Sequence, residues 1–439
     1  MISRLFIERA AAVAATLFLS LVPLFAQYPG SNYYPIVDGS SVTFLLKADA
    51  AREVKVFGDF LPGVNEYGLG GSAAMTRSED GMWTYTATGL APEFYFYYFE
   101  VDGVRVLDPW NLKVACNYSE FYNTFLVEGA ESTAYDYARE GKGSVETRWY
   151  DSPEYGGQRR LNVYLPSGYS RGRAYPVLYM LPGGGDDEDT WIDMGRLPQI
   201  MDHLIASGEC VPMVVVMVNS MPNQLAGPHV MNPVSGLKSH FEMMGTPQGA
   251  SGGEFCNDMV RNIIPFVESE YSVLRDRDSR TVCGVSMGGV YEMYLLEHHT
   301  DLFGSFAFMG SGIMGAPGRG AGSAAAPASG PAVGRGAGSV AGSGAGSGTQ
   351  PSAAGVSVSS TSATPSDPAD AAVAPLAKLG CRLMWIGAGA SDMALRSAQN
   401  LMSALDRASV PYTYYDSGDG HNWRSWRRDL LHLAPLLFR

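Results

Sequence analysis

The sequence predicts an α/β fold, a mostly parallel sheet with helices between its strands, preceded by an N-terminal immunoglobulin-like β-sandwich domain. Three observations carry that expectation. About a hundred residues of short β-branched and aromatic runs come first, continuous apolar runs alternating with helical stretches follow, and a Gly-x-Ser-x-Gly pattern sits at a strand-to-helix junction. At 439 residues the chain is too long for one ordinary domain. Its 31 Lys+Arg against 44 Asp+Glu leave a net charge of −13, which argues against a nucleic-acid partner, because neutralising phosphates needs clustered basic side chains. A hydrophobic content of 46% suffices for a sizeable core. The five cysteines are widely spaced and odd in number, and form neither a disulfide framework nor a CxxC-type zinc site.

Residues 1–26 read as a signal peptide: Arg4 and Arg9 flank a short start, Ala10–Phe25 is apolar, and Ala26 offers a small residue for cleavage. An uncleaved membrane anchor is the other reading, but this apolar run falls short of the roughly 20 residues a spanning helix needs. The mature chain is therefore expected to be secreted or periplasmic, with no membrane partner after cleavage.

Residues 27–130 are the expected sandwich. Val42–Leu46, Glu53–Phe57, Trp83–Ala87 and Phe94–Val101 are strand-like, and Asp102-Gly103 between two such runs signals a two-residue hairpin. Residues 131–157 read as a linker. From 158 to 439 the runs Leu161–Leu165, Val177–Leu181, Val214–Val218, Arg280–Cys283, Ser305–Met309 and Leu383–Ile386 are largely apolar without strict alternation, as strands covered on both faces are. Helical stretches between them imply a mostly parallel sheet. Residues 315–375 interrupt this domain. They are nearly all Gly, Ala, Ser, Pro, Thr and Val, too poor in large apolar side chains to offset ordering entropy, and read as a disordered insert.

Gly-x-Ser-x-Gly occurs twice, at Gly284–Gly288 and at Gly249–Gly253. The first follows a strand-like run and opens the helical run Val290–Leu296, the setting in which a serine is exposed at a strand's carboxyl end. The second follows Thr246-Pro247-Gln248, which is no strand. Ser286 is the expected nucleophile and Ser251 a loop residue. A serine nucleophile needs a base, and the base an orienting carboxylate, in the chain order serine, acid, histidine for this fold class. His298 and His299 end the helix after the serine and His432 lies in a final helical run, leaving His421 in a loop after the strand-like Pro411–Asp416. Asp392, directly after the strand Arg382–Gly389, is the expected acid, with Asp416 and Asp419 as rivals near His421. The oxyanion donors are expected to be the N–H of Met287 and that of Gly184 in the run Pro182–Asp186, which otherwise reads as an ordinary glycine turn. No cofactor and no metal are expected. No HExxH, P-loop or EF-hand pattern occurs, and the dinucleotide-like Gly310–Gly315 runs into low-complexity sequence where a helix should start.

Tyr175–Gly185, Gly284–Gly289 and Gly420–Arg427 resemble carbohydrate esterase family one, the esterase-D-like α/β-hydrolases that include feruloyl and acetyl xylan esterases. Asn257-Asp258 and Ile263–Glu268 are similar to the helix before the serine strand there. Val37–Pro109, with Gly81-Met82-Trp83 and Val101–Pro109, resembles the early-set sandwich often fused to these enzymes, a relative of glycogen-binding modules. The resemblance implies a triad of Ser286, Asp392 and His421. It also implies a secreted serine esterase acting on feruloyl or acetyl esters of plant cell-wall polysaccharides such as xylan, with a polysaccharide or oligosaccharide ester as its partner. Pro182 departs from the family, where histidine usually precedes the glycines, and the insert replaces a stretch that borders the substrate cleft. Two other readings stand beside this one. A siderophore (enterochelin-type) esterase would favour a basic cleft, of which the charge balance gives no hint. A non-catalytic carbohydrate-binding protein would not keep candidates for all three triad members. For the sandwich, a structural role is expected over sugar binding, since aromatics such as Trp83 serve equally as core.

Overall fold

The computed structural model describes residues 35–63, 70–117, 120–138, 140–221, 225–227, 253–313 and 368–439. The signal-like segment, Ser251 and residues 315–367 of the expected insert lie outside the described residues.

The N-terminal part is two facing antiparallel sheets. Its strands are β1 (Ile36–Asp38), β2 (Ser41–Lys47), β3 (Val54–Gly58), β4 (Gly71–Ala74), β5 (Thr76–Arg77), β6 (Met82–Ala87), β7 (Glu93–Val101), β8 (Val104–Val106), β9 (Val114–Asn117) and β10 (Glu120–Val127). One sheet runs β1-β2-β6-β5 and the other β4-β3-β7-β10-β9, with β8 paired to β7. Alternation of apolar and polar residues along β2 and β3 turns Val42, Phe44, Leu46, Val54 and Val56 inward, where Tyr97, Phe99 and Phe125 meet them. Trp83 is buried and donates its indole N–H to the Ala48 carbonyl at 3.0 Å, so it is a core residue. Asp102, at φ 48°, and Gly103, at φ 85°, make the two-residue turn between β7 and β8.

The second part is built on an eight-stranded sheet of β11 (Ser144–Ser152), β12 (Gly157–Leu165), β13 (Val177–Leu181), β14 (Val214–Met217), β15 (Arg280–Val285), β16 (Ser305–Met309), β17 (Leu383–Gly387) and β18 (Thr413–Tyr415). Its order is β11-β12-β14-β13-β15-β16-β17-β18. The first two pairings are antiparallel and the remaining ones parallel. β13, β14, β15 and β16 are buried along their whole length, and apart from Arg280, Thr281 and Ser305 at their starts their sequence carries no polar side chain.

Among the described residues the helices that matter to the site are α1 (Leu197–Ala206), α2 (Gly253–Asp258), α3 (Ile264–Glu270), α4 (Gly288–His298), α5 (Pro368–Leu379), α6 (Leu395–Arg407) and α7 (Trp423–Leu433). α2 to α6 cover one face of the sheet, while α1 and α7 cover the other. Phe94, Phe96, Ala115 and Tyr122 of the sandwich join that second apolar cluster beside Trp191, Trp423 and Trp426. The sandwich is thereby docked on the sheet face that carries α7.

Two boundaries differ from the sequence reading. Ser144–Ser152 lies within the expected linker but is an edge strand, paired with β12 over nine residues. Its sequence SVETRWYDS is polar because one side of an edge strand faces solvent, so no apolar run announces it. Pro368–Pro375 lies within the expected insert but opens α5, where Ala369, Val373 and Leu376 are buried against the core. An alanine-rich stretch reads as low complexity, yet alanine is the best helix former, and spacings of four and three put those residues on one face.

Candidate active site

The expected nucleophile, base and acid meet at the carboxyl ends of β15, β17 and β18. Ser286 follows β15 with φ 51°, the left-handed region that costs a non-glycine residue about 1–3 kcal/mol. Its N–H donates to the Met309 carbonyl at the end of β16, at 2.9 Å. The turn is tight enough to dictate its neighbours. A Cβ on Gly284 would stand 2.5 Å from the Gly288 carbonyl oxygen, and one on Gly288 would stand 2.6 Å from that of Leu181. Below the turn, buried Glu292 of α4 accepts the N–H groups of Gly284 and Ala307 at 2.7 and 2.6 Å, bracing β15 to β16. Burial holds its carboxyl well above the usual carboxylate range.

His421 lies in the loop between β18 and α7. Its Nε2 is 2.8 Å from Ser286 Oγ and its Nδ1 is 2.8 Å from Asp392 Oδ1. A carboxylate can only accept, so Nδ1 carries the proton and Nε2 is free to accept from the serine hydroxyl. The ring stands edge-on to Trp426, with centroids 5.2 Å apart and planes at 88°. His421 and Asp392 are buried while Ser286 is half-buried, so the acid and base are shielded from solvent and the nucleophile is partly exposed. Asp392 Oδ1 also accepts the Ala394 N–H at 2.7 Å, which fixes the carboxylate before α6 begins.

The rival acids are engaged elsewhere. Asp416 accepts the Gly418 N–H at 2.9 Å. Asp419 accepts the Gly420 N–H at 2.9 Å and pairs with Arg424.

Met287 immediately precedes the first turn of α4, where backbone N–H groups have no intrahelical acceptor and the helix dipole presents its positive end. The Pro182–Gly185 loop after β13 lies against the serine: a Cβ on Gly183 would stand 3.6 Å from Ser286 Cβ. Gly185 takes φ 81° in the turn Gly183–Asp186, which contains Gly184 and in which the Asp186 N–H donates to the Gly183 carbonyl at 3.4 Å. Together the groups can move a proton from Oγ to Nε2, stabilise the resulting imidazolium at Nδ1, and offer amides to an oxyanion. Among the described residues no cluster of three or more His, Cys, Asp or Glu side chains is placed to hold a metal ion.

Sequence reasoning missed three contributors. Gly310 adopts φ 53° at the end of β16, and a Cβ there would stand 2.9 Å from Asp392 Oδ2 and 3.1 Å from His421 Nδ1. The sequence showed it only as the first glycine of a dinucleotide-like pattern. Glu292 sits inside an apolar run, where a lone buried acid was the available signal. Asp429 of α7 is buried with no protein donor to either oxygen among the described residues. Burial, and then the Asp392 charge, push its carboxyl well above the usual range.

Comparison with known proteins adds to this geometry. The sequence profile of the Esterase family matches residues 152–436. A curated endo-1,4-beta-xylanase/feruloyl esterase of Xylanibacter ruminicola is 26% identical over 302 residues, which span 66% of this chain and 38% of that protein. Endo-1,4-beta-xylanase Y of Acetivibrio thermocellus is 30% identical over 161 residues, 34% of this chain and 13% of that one. The match thus spans less than half the length of either relative. Among solved structures, an enterochelin esterase from Shigella flexneri superposes with a TM-score of 0.58 at 14% identity, covering 94% of this chain and 96% of that one. At that identity the likeness is one of fold.

Proposed function

This chain belongs to the Esterase family, and from that premise we propose that it is a serine-dependent hydrolase of carboxylic esters with Ser286, His421 and Asp392 as its triad. The observation that carries the reading is the unbroken path from Ser286 Oγ through His421 to Asp392, with both links at 2.8 Å. Ser286 Oγ attacks the ester carbonyl as its proton passes to His421 Nε2. The N–H groups of Met287 and Gly184 stabilise the oxyanion, and the alcohol leaves with that proton. Water then attacks the acyl-enzyme, giving its proton to His421, and the acid departs as Ser286 Oγ is reprotonated.

The proposed substrates are feruloyl or acetyl esters on plant cell-wall polysaccharides such as xylan. The names of both curated relatives support this. We further propose that residues 1–26 direct export, that the sandwich is a structural partner of the catalytic domain, and that this domain begins at β11.

The test is hydrolysis of nitrophenyl acetate, methyl ferulate and acetylated xylan by the exported protein and by Ser286→Ala. Removing the nucleophile should cost about 10⁶-fold in kcat. Undiminished hydrolysis by the variant would reject the triad, and failure on both ferulate and xylan beside good nitrophenyl acetate turnover would reject the substrate class.

A further inference from the structure

The loop that presents His421 has little structure of its own. It follows a three-residue edge strand and runs through Gly418 and Gly420, so its register must come from outside contacts. Some come from α7, whose Ser425 Oγ donates to the Gly420 carbonyl at 2.7 Å and whose Arg428 Nη1 donates to that of Ser417 at 3.3 Å, and α7 is itself held by the sandwich. Arg427 of α7, fully buried, donates to Glu93 Oε1 at 3.0 Å and to the carbonyls of Phe94 and Met194, both at 2.8 Å. Trp423 donates its indole N–H to Asn117 Oδ1 at 2.9 Å. The bonds to Glu93, Phe94 and Asn117 and the shared apolar cluster hold α7 to the sandwich, the bond to Met194 ties it to the catalytic domain, and none of them reaches the residues before His421.

Arg424 does. Its Nη1 donates to Asp419 Oδ2 at 3.1 Å and its Nη2 to the Asp59 backbone carbonyl at 3.0 Å, with the guanidinium 5.5 Å from the Tyr95 ring centroid. Asp419 in turn accepts the Gly420 N–H, and its carbonyl packs against Gly389 in the loop that delivers Asp392. One rigid fork therefore joins the sandwich, the histidine loop and, through Asp419, the acid loop.

We propose that Arg424 is a positioning residue, clamping the His421 loop to the sandwich through Asp419 and the Asp59 carbonyl so that the imidazole stays in register between Ser286 and Asp392. The inference rests on the triad reading above. It assigns the sandwich a part in turnover through a side chain that touches neither substrate nor any reacting atom. Docking would survive loss of Arg424, because Arg427, Trp423 and the apolar contacts remain. Base alignment would not.

The experiment compares wild type, Arg424→Lys, Arg424→Ala and Asp419→Asn in the full chain. Readouts are kcat and KM on nitrophenyl acetate, the pH profile of kcat/KM, the melting temperature and the downfield imidazole N–H proton resonance of the His421–Asp392 pair. Arg424→Ala should lose about ten- to a hundredfold in kcat, the cost of a misplacement of up to about 1 Å, with KM changed less than about twofold. Its melting temperature should stay close to wild type, while the downfield resonance broadens or moves. Arg424→Lys should recover only part of the rate, since a point charge cannot reproduce the fork. Wild-type kcat, pH profile and resonance in Arg424→Ala would overturn the proposal. So would a rate loss that merely tracks a fall in melting temperature and is the same in the lysine variant. Should Arg424→Ala fail to fold, Arg424→Lys and Asp419→Asn carry the same comparison. Because the resonance needs no turnover, a wild type inactive on esters with an Arg424-dependent resonance would reject the esterase reading and leave the clamp standing.

Discussion

At the scale of single residues, the site is set by where a side chain is allowed and where it is not. Asp392 is buried against His421, whereas Asp416 and Asp419 bond backbone groups of their own loop. Asp392→Asn should therefore lower kcat by about 10⁴-fold through loss of the correct imidazole tautomer. Asp416→Asn should stay within about tenfold of wild type, since it removes no contact to the imidazole. A comparable loss in Asp416→Asn, measured on nitrophenyl acetate, would move the orienting carboxylate. Gly310 is the converse case. Gly310→Ala places a methyl group 2.9 Å from Asp392 Oδ2 and 3.1 Å from His421 Nδ1 on a backbone at φ 53°. It should cut turnover by about a hundredfold or more, because the pair must move apart to admit it. An alanine variant with wild-type kcat would show that the pair has slack.

Among the elements, α5 and the loop after β13 make opposite demands on the chain. Val373 is fully buried although its surroundings look like tether, so Val373→Ala should lower unfolding free energy by about 1.5–3 kcal/mol in denaturant titration. No measurable loss would mean that α5 does not pack as described. The β13 loop instead carries a proton-linked cost. Burial, and then the charges of Glu188 and Asp189, push the Asp187 carboxyl up to about 8. Below about pH 4 the folded and unfolded chains both hold this proton, and nothing is lost. Between about pH 4 and 8 the unfolded chain has released it and the folded chain has not, so stability falls as pH rises and levels off above. Asp187→Asn should flatten the dependence of melting temperature on pH across that window. An unchanged slope would place the proton elsewhere.

Over the whole molecule, the sandwich and the α/β domain share an apolar cluster and a buried ion pair, so they should unfold as linked units. Glu93 and Arg427 are both almost fully buried and bonded at 3.0 Å. Glu93→Ala strands the guanidinium and should cost about 3–5 kcal/mol, whereas replacing both residues by apolar ones of similar volume should cost much less. Equal losses in the single and double variants would show that the pair does not couple the two parts. The same packing makes the sandwich more than an appendage, since the helix it grips begins two residues after His421.

Much of this was legible in the chain itself. Continuous apolar runs marked β13 to β17 because strands buried on both faces tolerate little else, and Gly284–Gly288 between a strand and a helix marked the serine turn. The order of Ser286, Asp392 and His421 was readable because each follows a strand with a distinctive run of its own. Edge strand β11 and the start of α5 escaped, the one because half its surroundings are water, the other because alanine-rich composition hides a helix that only its packing reveals. The roles of Gly310, Glu292 and Arg424 were likewise invisible, although Gly310 lies in a dinucleotide-like pattern and Arg424 in the run Gly420–Arg427. Each matters only through partners far away in sequence: Asp392 and His421 for the first, the strands β15 and β16 for the second, Asp59 for the third. Local pattern thus marked most of the strands and the three side chains that the fold brings together at their ends. The tertiary structure alone decided what holds those side chains in register, because that depends on contacts between residues that sequence spacing does not bring together.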